Sequence, residues 1–225
     1  MKKLIIFGDS ILKGVIYSRE GKMYKLYNGS LTEKLRAKGV ELLSYCKMGL
    51  TVTKAFPFVS EILEGTDDLR GTDVLLEYGG NDSMFNWKMV SEAPDGVHCP
   101  VTSPDDFAAT YDRLIKKLQA RGANVILANL IPIDPEKYMN YISEGLSREN
   151  ILRWLGDISM LYRFHESYNR KIYDLAAENK AGIVDLREDF LLAHDFSELL
   201  CMDGIHPTDK GHAMIENTLV RSFGA

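Results

Sequence analysis

Residues 4–10 of the chain read Leu-Ile-Ile-Phe-Gly-Asp-Ser, a short apolar run that ends in a polar turn. Such a run, closed by glycine, is typical of a strand that is buried on both faces of a sheet. Similar runs recur along the chain, and each is separated from the next by enough residues for a helix. They lie at residues 41–45, 73–78, 124–129 and 183–185. This spacing of apolar runs predicts a parallel sheet.

Helical patterns fill the long connections between these runs. The clearest begins with Ser103 as a cap and Pro104 in the first helical position, and Gly122 ends it. Serine before a helix and proline at its first position are common start signals, and glycine is a common stop signal. The predicted helices lie around residues 30–38, 52–64, 104–121, 166–179 and 208–222.

The alternation of strand and helix predicts an α/β fold. We expect a three-layer, doubly wound, flavodoxin-like sheet of about five parallel strands with helices on both faces. Ligands bind such sheets beyond the carboxyl ends of the strands. Two segments, at about 84–103 and 133–165, are longer than a simple connection and leave from that edge. No linker divides the chain, so we expect a single domain over residues 1–225 with two insertions near the active edge.

The composition excludes several classes of protein. With 45% hydrophobic and 26% charged residues the chain is typical of a folded globular protein, and its net charge of -5 argues against a nucleic-acid partner. No stretch approaches the roughly 18 consecutive apolar residues of a membrane helix, and the apolar run after Lys2 and Lys3 is too short for a secretion signal. The three cysteines are widely spaced, as expected in a reducing compartment. We therefore expect a cytoplasmic protein without a membrane partner; nothing indicates its oligomeric state.

Metal binding is not expected either. Histidines that share a metal site on a helix follow a short paired spacing, such as His-Glu-x-x-His. None of the five histidines follows such a spacing, and the sequence predicts neither a metal nor a cofactor. These histidines are His98, His165, His194, His206 and His212.

Four short motifs fall where the predicted sheet places its active edge. Three follow the first, second and third strands, and the fourth precedes the last helix. They are Gly8-Asp9-Ser10, Gly49, Gly79-Gly80-Asn81-Asp82 and Asp203-Gly204-Ile205-His206-Pro207. In kind and order they resemble the four blocks of the SGNH hydrolase superfamily, the GDSL-type esterases and lipases, which contribute Ser, Gly, Asn and His. The resemblance spans residues 8 to 207.

This resemblance implies a serine ester hydrolase with Ser10, Asp203 and His206 as its catalytic triad. A serine hydroxyl is a poor nucleophile unless a base, itself oriented by a third group, lies within hydrogen-bond reach. The three-residue offset from Asp203 to His206 lets one turn present both side chains. The resemblance also implies an oxyanion hole formed by the backbone N–H groups of Ser10 and Gly49 and by the side-chain amide of Asn81.

The sequence departs from the family pattern at two places. Ile11 stands where leucine gives the GDSL motif its fourth letter, a volume-conserving change that we expect to be harmless. The second block, Lys47 to Thr51, lacks the asparagine and the extra glycine often found there. Gly49 is assigned mainly because that stretch contains no other glycine.

Other interpretations remain open from the residues alone. Gly-Asp-Ser after a strand is also a common helix-capping turn, and Asn81-Asp82 could be a simple Asx turn. A non-catalytic flavodoxin-like domain would use the first loop to bind a phosphate or nucleotide at a helix start, although it would have no use for the Asp203 and His206 pair. Within the enzyme class we expect a small-molecule substrate, a short acyl, above all acetyl, ester of a sugar or small metabolite. Lysophospholipid or acyl-thioester cleavage is the alternative, and acyl transfer to an alcohol is not distinguished.

Several further residues carry expectations of structure. Asp9 and Asp82 are expected to hold their loops by accepting backbone N–H bonds, and Cys201 to be a small core residue. Glu77 interrupts an apolar strand, so we expect it to pair with a cation or hydroxyl near the site. The insertions are rich in aromatic residues and methionine, which form either helix core or an acyl-pocket wall or lid. These are Met84, Phe85, Trp87, Met89, Tyr138, Met139, Tyr141, Trp154, Tyr162 and Phe164.

Overall fold

The strands of this computed structural model, which describes residues 1–18, 23–66 and 68–224, form a central parallel sheet and one hairpin. In chain order they are β1 (Lys2–Gly8), β2 (Val15–Ser18), β3 (Met23–Leu26), β4 (Val40–Cys46), β5 (Thr72–Glu77), β6 (Asn124–Ala128) and β7 (Gly182–Val184). The sheet has the order β4-β1-β5-β6-β7, and every neighbouring pair is parallel. The five predicted strands and the α/β class are confirmed.

Helices cover both faces of this sheet. They are α1 (Leu31–Ala37), α2 (Val52–Ile62), α3 (Trp87–Glu92), α4 (Pro104–Gln119), α5 (Pro135–Ile142), α6 (Arg148–Leu155), α7 (Ser159–Asn179), α8 (Glu188–Leu192) and α9 (Asp209–Phe223). Ile5 and Phe7 of β1 point to a core formed with α2, α4 and α7, whereas Leu4 and Ile6 point to a core formed with α1, α8 and α9. Successive strand residues face opposite sides, so a continuous apolar run is what a doubly covered strand requires. None of the described helices is both long and apolar enough to cross a membrane.

The structure differs from the sequence expectation in several elements. The helices α3, α5, α6 and α8 were not among those predicted. Helix α7 begins at Ser159 rather than near residue 166, so it extends well into the second insertion. The hairpin of β2 and β3 was not predicted. Every residue of β3 is exposed, so its sequence does not show the alternation of apolar and polar residues that marks a strand with one buried face. Residues 19–22, which join the two strands of this hairpin, lie outside the described ranges.

The order of the sheet strands fixes where a site can form. Numbered along the chain, the five sheet strands take the order 2-1-3-4-5. The connection after β1 leads to β4 on one side of the sheet, whereas the connection after β5 leads to β6 on the other side. The loops that follow these two strands therefore diverge and open a crevice between them. Ser10 follows β1 and Asn81 follows β5, and both lie at this crevice.

Candidate active site

Ser10, His206 and Asp203 form a continuous chain of hydrogen bonds. The Nε2 atom of His206 lies 2.9 Å from the Ser10 Oγ, and its Nδ1 atom lies 2.6 Å from Asp203 Oδ2. All three side chains are buried. An ionised carboxylate only accepts hydrogen bonds, so the Nδ1 of His206 must carry the ring proton. In the neutral ring Nε2 is then unprotonated and accepts the hydroxyl hydrogen of Ser10.

The two oxygens of Asp203 have separate tasks. Oδ2 orients the imidazole, whereas Oδ1 accepts the backbone N–H groups of Ile205 and His206 at 3.2 and 3.1 Å. The turn is closed by the N–H of Cys201, which donates to the His206 carbonyl at 2.7 Å. Asp203 thus holds both the ring and the loop that carries it. Cys201 is buried, as expected.

Helix α5 of the second insertion supports the same loop. The N–H of Asp134 donates to the Gly204 carbonyl at 2.9 Å. Gly204 has a φ of +73°, and a Cβ added there would lie 2.5 Å from both the Asp134 carbonyl oxygen and the Tyr138 nitrogen. Only glycine lets the helix start approach so closely.

The loop after β1 forms turns and leads into β2 rather than into a helix. Asp9 Oδ1 accepts the Ile11 N–H at 2.9 Å, and the Ser10 carbonyl accepts the Val15 N–H at 2.9 Å. No helix begins between residues 8 and 18, all of which are described. The alternative of a phosphate bound at a helix start after β1 is therefore wrong, because no helix start, and so no helix dipole, lies there.

Two backbone donors face the cavity beside Ser10. Within the described ranges neither the N–H of Ser10 nor that of Gly49 donates to another protein group. Both residues line the same cavity. Gly49 has a φ of +73°, which favours glycine, and a Cβ there would meet no atom within 4 Å. Glycine is therefore favoured at this position by its positive φ, and not by a lack of space for a side chain.

The amide of Asn81 is engaged differently. Its Nδ2 donates to Asp9 Oδ2 at 2.7 Å and to the Leu50 carbonyl at 3.1 Å, so both of its hydrogens have protein partners. The neighbouring Asp82 accepts the Val52 N–H at the start of α2, as the sequence predicts for a loop-holding residue. Burial raises the pKa of Asp82 to about 6. Together, Asn81 and Asp82 tie the loop after β5 to the loop that carries Gly49.

Glu77 pairs with another carboxyl group, not with a cation or hydroxyl as expected. Its Oε2 accepts the backbone N–H of Asp9 at 3.2 Å, and the two side chains are hydrogen-bonded to each other. Burial raises the pKa of both groups, and the charge of Asp9 raises that of Glu77 further, well above its ordinary range. Two buried carboxylates in contact cannot both ionise readily, so Glu77 keeps its proton and donates it to Asp9.

A cavity of about 180 Å³ opens beside the triad. Both insertions line it, through Met84, Phe85, Trp87, Tyr138, Tyr141, Leu161, Phe164 and His165. The other aromatic and methionine residues named in the sequence have different places: Met139 is buried in the core behind the wall, Trp154 stacks on Phe164, Met89 is exposed, and the Tyr162 hydroxyl accepts from Arg187. The insertions are therefore pocket wall in part and helix core in part.

Two residues at the cavity escaped the sequence analysis. Tyr24, on the unpredicted strand β3, packs edge-on against His206 with ring centroids 5.6 Å apart. His165 lines the cavity from α7. A tyrosine on an exposed hairpin and a histidine inside a helix carry no local signal that distinguishes them from ordinary surface and core residues.

Comparison with known proteins gives the same picture. Residues 6–214 match the model of the GDSL-like lipase/acylhydrolase family. A GDSL esterase/lipase of Arabidopsis thaliana is 21% identical over 225 residues, which cover 97% of this chain and 77% of the relative.

Solved structures share the fold. A lipase/acylhydrolase from Enterococcus faecalis matches with a TM-score of 0.66 and 17% identity, covering 100% of this chain and 96% of that one. An acetylxylan esterase from Geobacillus stearothermophilus matches with a TM-score of 0.68 and 19% identity, covering 100% of this chain and 94% of that one.

The protonated state of Glu77 predicts the behaviour of Glu77→Gln. Glutamine reproduces a protonated carboxyl, since its oxygen accepts from Asp9 N–H and its amide donates to the Asp9 carboxylate. We expect ester hydrolysis to stay within about threefold of wild type at neutral pH. Glu77→Ala, which removes the donor, should lose more. A loss of activity in Glu77→Gln as large as in Glu77→Ala would contradict the assignment.

The same variant has a pH signature in stability. Because the folded-state pKa of Glu77 lies above its ordinary 4.5, the free energy of unfolding of wild type falls as pH rises through this range. Glutamine does not titrate, so the Tm advantage of Glu77→Gln should grow from about pH 5 to about pH 8. The thiol and phenol groups near Glu77 stay uncharged there, because burial raises their pKa values; they belong to Cys46, Tyr78 and Tyr111. A pH-independent Tm difference would contradict the shared proton.

Proposed function

Because the chain belongs to the GDSL-like lipase/acylhydrolase family and is a carboxylic ester hydrolase, we propose that it cleaves short-chain acyl esters through an acyl-enzyme on Ser10. The observation that carries the proposal is the unbroken hydrogen-bond chain from Ser10 through His206 to Asp203. It lies at a cavity large enough for a small ester.

The first half of the reaction transfers the acyl group to the enzyme. Ser10 Oγ attacks the ester carbonyl while its proton passes to His206 Nε2. Asp203 stabilises the imidazolium that forms and holds its orientation. His206 then gives this proton to the leaving alcohol oxygen as the ester C–O bond breaks.

The second half releases the acid. A water molecule gives one proton to His206 Nε2 and attacks the acyl carbon, and the proton returns to Ser10 Oγ as the acyl–serine bond breaks. The products are the free acid and an unchanged enzyme, and no cofactor enters either half. The same base serves both halves because one ring nitrogen faces the reacting oxygen in each.

The tetrahedral intermediates carry a negative oxygen that needs donors. We assign this role to the N–H groups of Ser10 and Gly49 and to the Asn81 amide. The Asn81 hydrogen that reaches Leu50 makes the longer of its two bonds, at 3.1 Å, and we propose that the oxyanion shares this hydrogen with the Leu50 carbonyl. The bond to Asp9 stays in place and keeps the amide in orientation.

The size of the cavity supports a short acyl group. A protein cavity of about 150 Å³ holds benzene, so the 180 Å³ beside Ser10 suits about six or seven non-hydrogen atoms. Acetyl to butyryl fits within this space, whereas octanoyl exceeds it. We therefore favour acetyl and similar esters of a sugar or small metabolite over lysophospholipid or long-chain acyl-thioester cleavage. Acetylxylan esterases share the fold, which agrees with this choice.

We place the reaction in the cytoplasm. Cys46, Cys99 and Cys201 are all unpaired. Free thiols persist where the surroundings are reducing.

The nucleophile is tested by Ser10→Ala against p-nitrophenyl acetate. We expect kcat to fall by at least about 1000-fold, because Ser10 is the group whose hydroxyl His206 Nε2 bonds. Ser222→Ala, at an exposed serine of α9, is the matched control and should retain full activity. Equal turnover by wild type and Ser10→Ala would refute the mechanism.

The acyl length is tested with p-nitrophenyl esters from acetyl to dodecanoyl. We expect kcat/KM to be highest between acetyl and butyryl and to fall steeply by octanoyl, because the cavity cannot enclose the longer chain. A maximum at octanoyl or longer would instead favour the lysophospholipase or thioesterase alternative.

The oxyanion role of Asn81 is tested by Asn81→Ala. Loss of one oxyanion donor typically lowers kcat by about 100- to 1000-fold, and we expect this fall with little change in KM. Asn140→Ala, at an exposed asparagine of α5, is the control. If kcat stays within about threefold of wild type, the amide does not stabilise the transition state.

A further inference from the structure

The cavity contains a polar group for which the mechanism has no use. His165, on α7, lines the cavity yet is only 7% exposed. Within the part of the chain that the structure describes, neither ring nitrogen has a hydrogen-bond partner; Nδ1 is fully buried, so a molecule in the cavity can reach only Nε2. Buried polar atoms in native proteins are almost always paired, so an unpaired one beside a binding cavity indicates a ligand group.

The charge state of His165 limits what it can bind. Burial, and secondarily the positive charge of Arg187, lower the pKa of His165 to about 3. The ring is therefore neutral at neutral pH, with one nitrogen that donates and one that accepts. Such a ring suits a hydroxyl group, which is both donor and acceptor.

The surroundings point to an uncharged ligand. The cavity that His165 lines has largely apolar walls, which include Phe85, Leu130, Leu161 and Phe164. No lysine or arginine occurs among the described residues that line the cavity. A carboxylate or phosphate in this space would lose its hydration without gaining a cation, which is costly.

The position of His206 decides which part of the ester reaches His165. The leaving alcohol must lie against His206 Nε2 to receive its proton. Tyr24 packs on His206 and is 43% exposed, so the alcohol leaves on the open side of the cavity. The buried side, where His165 lies, then receives the acyl chain.

We propose that His165 hydrogen-bonds a hydroxyl on the acyl chain, so that among short acyl groups the enzyme prefers those of hydroxy acids. This inference rests on the proposed function, since it assumes that the acyl group is transferred to Ser10 in this cavity. His165 is a specificity-determining residue in this proposal and takes no part in bond breaking. Apolar neighbours supply the remaining contacts to the chain.

The test compares p-nitrophenyl butyrate with p-nitrophenyl 3-hydroxybutyrate, using each enantiomer. Wild type should favour the better enantiomer of the hydroxy ester by about tenfold in kcat/KM. In His165→Leu this ratio should fall to about one. His165→Gln, which can still hydrogen-bond, should keep part of the preference.

Thermal unfolding separates this role from a structural one. Leucine in place of an unpaired buried polar group should leave the Tm unchanged or raise it. A fall in Tm for both His165 variants would indicate a structural role and overturn the proposal.

The ratio of kcat/KM for the hydroxybutyrate ester to that for the butyrate ester in wild type tests the proposal even if a variant does not fold. A ratio of one or less in wild type, or a preference retained in His165→Leu, would overturn the inference. If Ser10→Ala hydrolyses both esters as fast as wild type, the proposed function fails instead. An inactive Ser10→Ala with a wild-type ratio of one rejects the role of His165 alone.

Discussion

The imidazole of His206 can act on Ser10 only if two segments 196 residues apart in the chain are held in register. The sheet positions Ser10, because this residue closely follows the buried strand β1. Asp203 positions His206: one carboxylate oxygen bonds the imidazole ring, and the other accepts two backbone N–H groups of the same loop. The α5 start then packs on Gly204, so a segment inserted after the fourth sheet strand supports the loop near the end of the chain.

A second layer of hydrogen bonds supports the Ser10 side of the crevice. Glu77 holds Asp9, and Asp9 holds both the Ile11 N–H and the Asn81 amide. Among the described residues no cation pairs with the carboxyl groups of this layer. The layer is stable because one proton stays between Asp9 and Glu77. The arrangement keeps the Asn81 amide oriented, while the N–H groups of Ser10 and Gly49 have no partner in the described part of the protein. Donors that are held in place before a substrate arrives are the condition for the oxyanion stabilisation that we propose.

The sequence predicts those parts of the molecule whose signal is local. The sheet strands are apolar runs because both of their faces are buried, and Ser10, Asn81 and His206 lie in short motifs at predictable edges. The hairpin was missed because its second strand has no buried face, and the start of α7 because its first turns pack on the insertion rather than on the sheet. The partner of Glu77 and the place of His165 depend on tertiary packing between distant segments. A buried polar residue in a sequence shows that a partner is needed, but only the fold shows which one.

The acyl-enzyme on Ser10 is the central claim, and it is tested most directly by locating the acyl group during turnover. The protein would be mixed with p-nitrophenyl butyrate, quenched in acid during the steady state, digested and analysed by peptide mass spectrometry. We expect a butyryl group on the peptide that contains Ser10, with fragment ions that assign it to that serine. A butyryl group found on a different residue, with Ser10 unmodified while turnover proceeds, would contradict it.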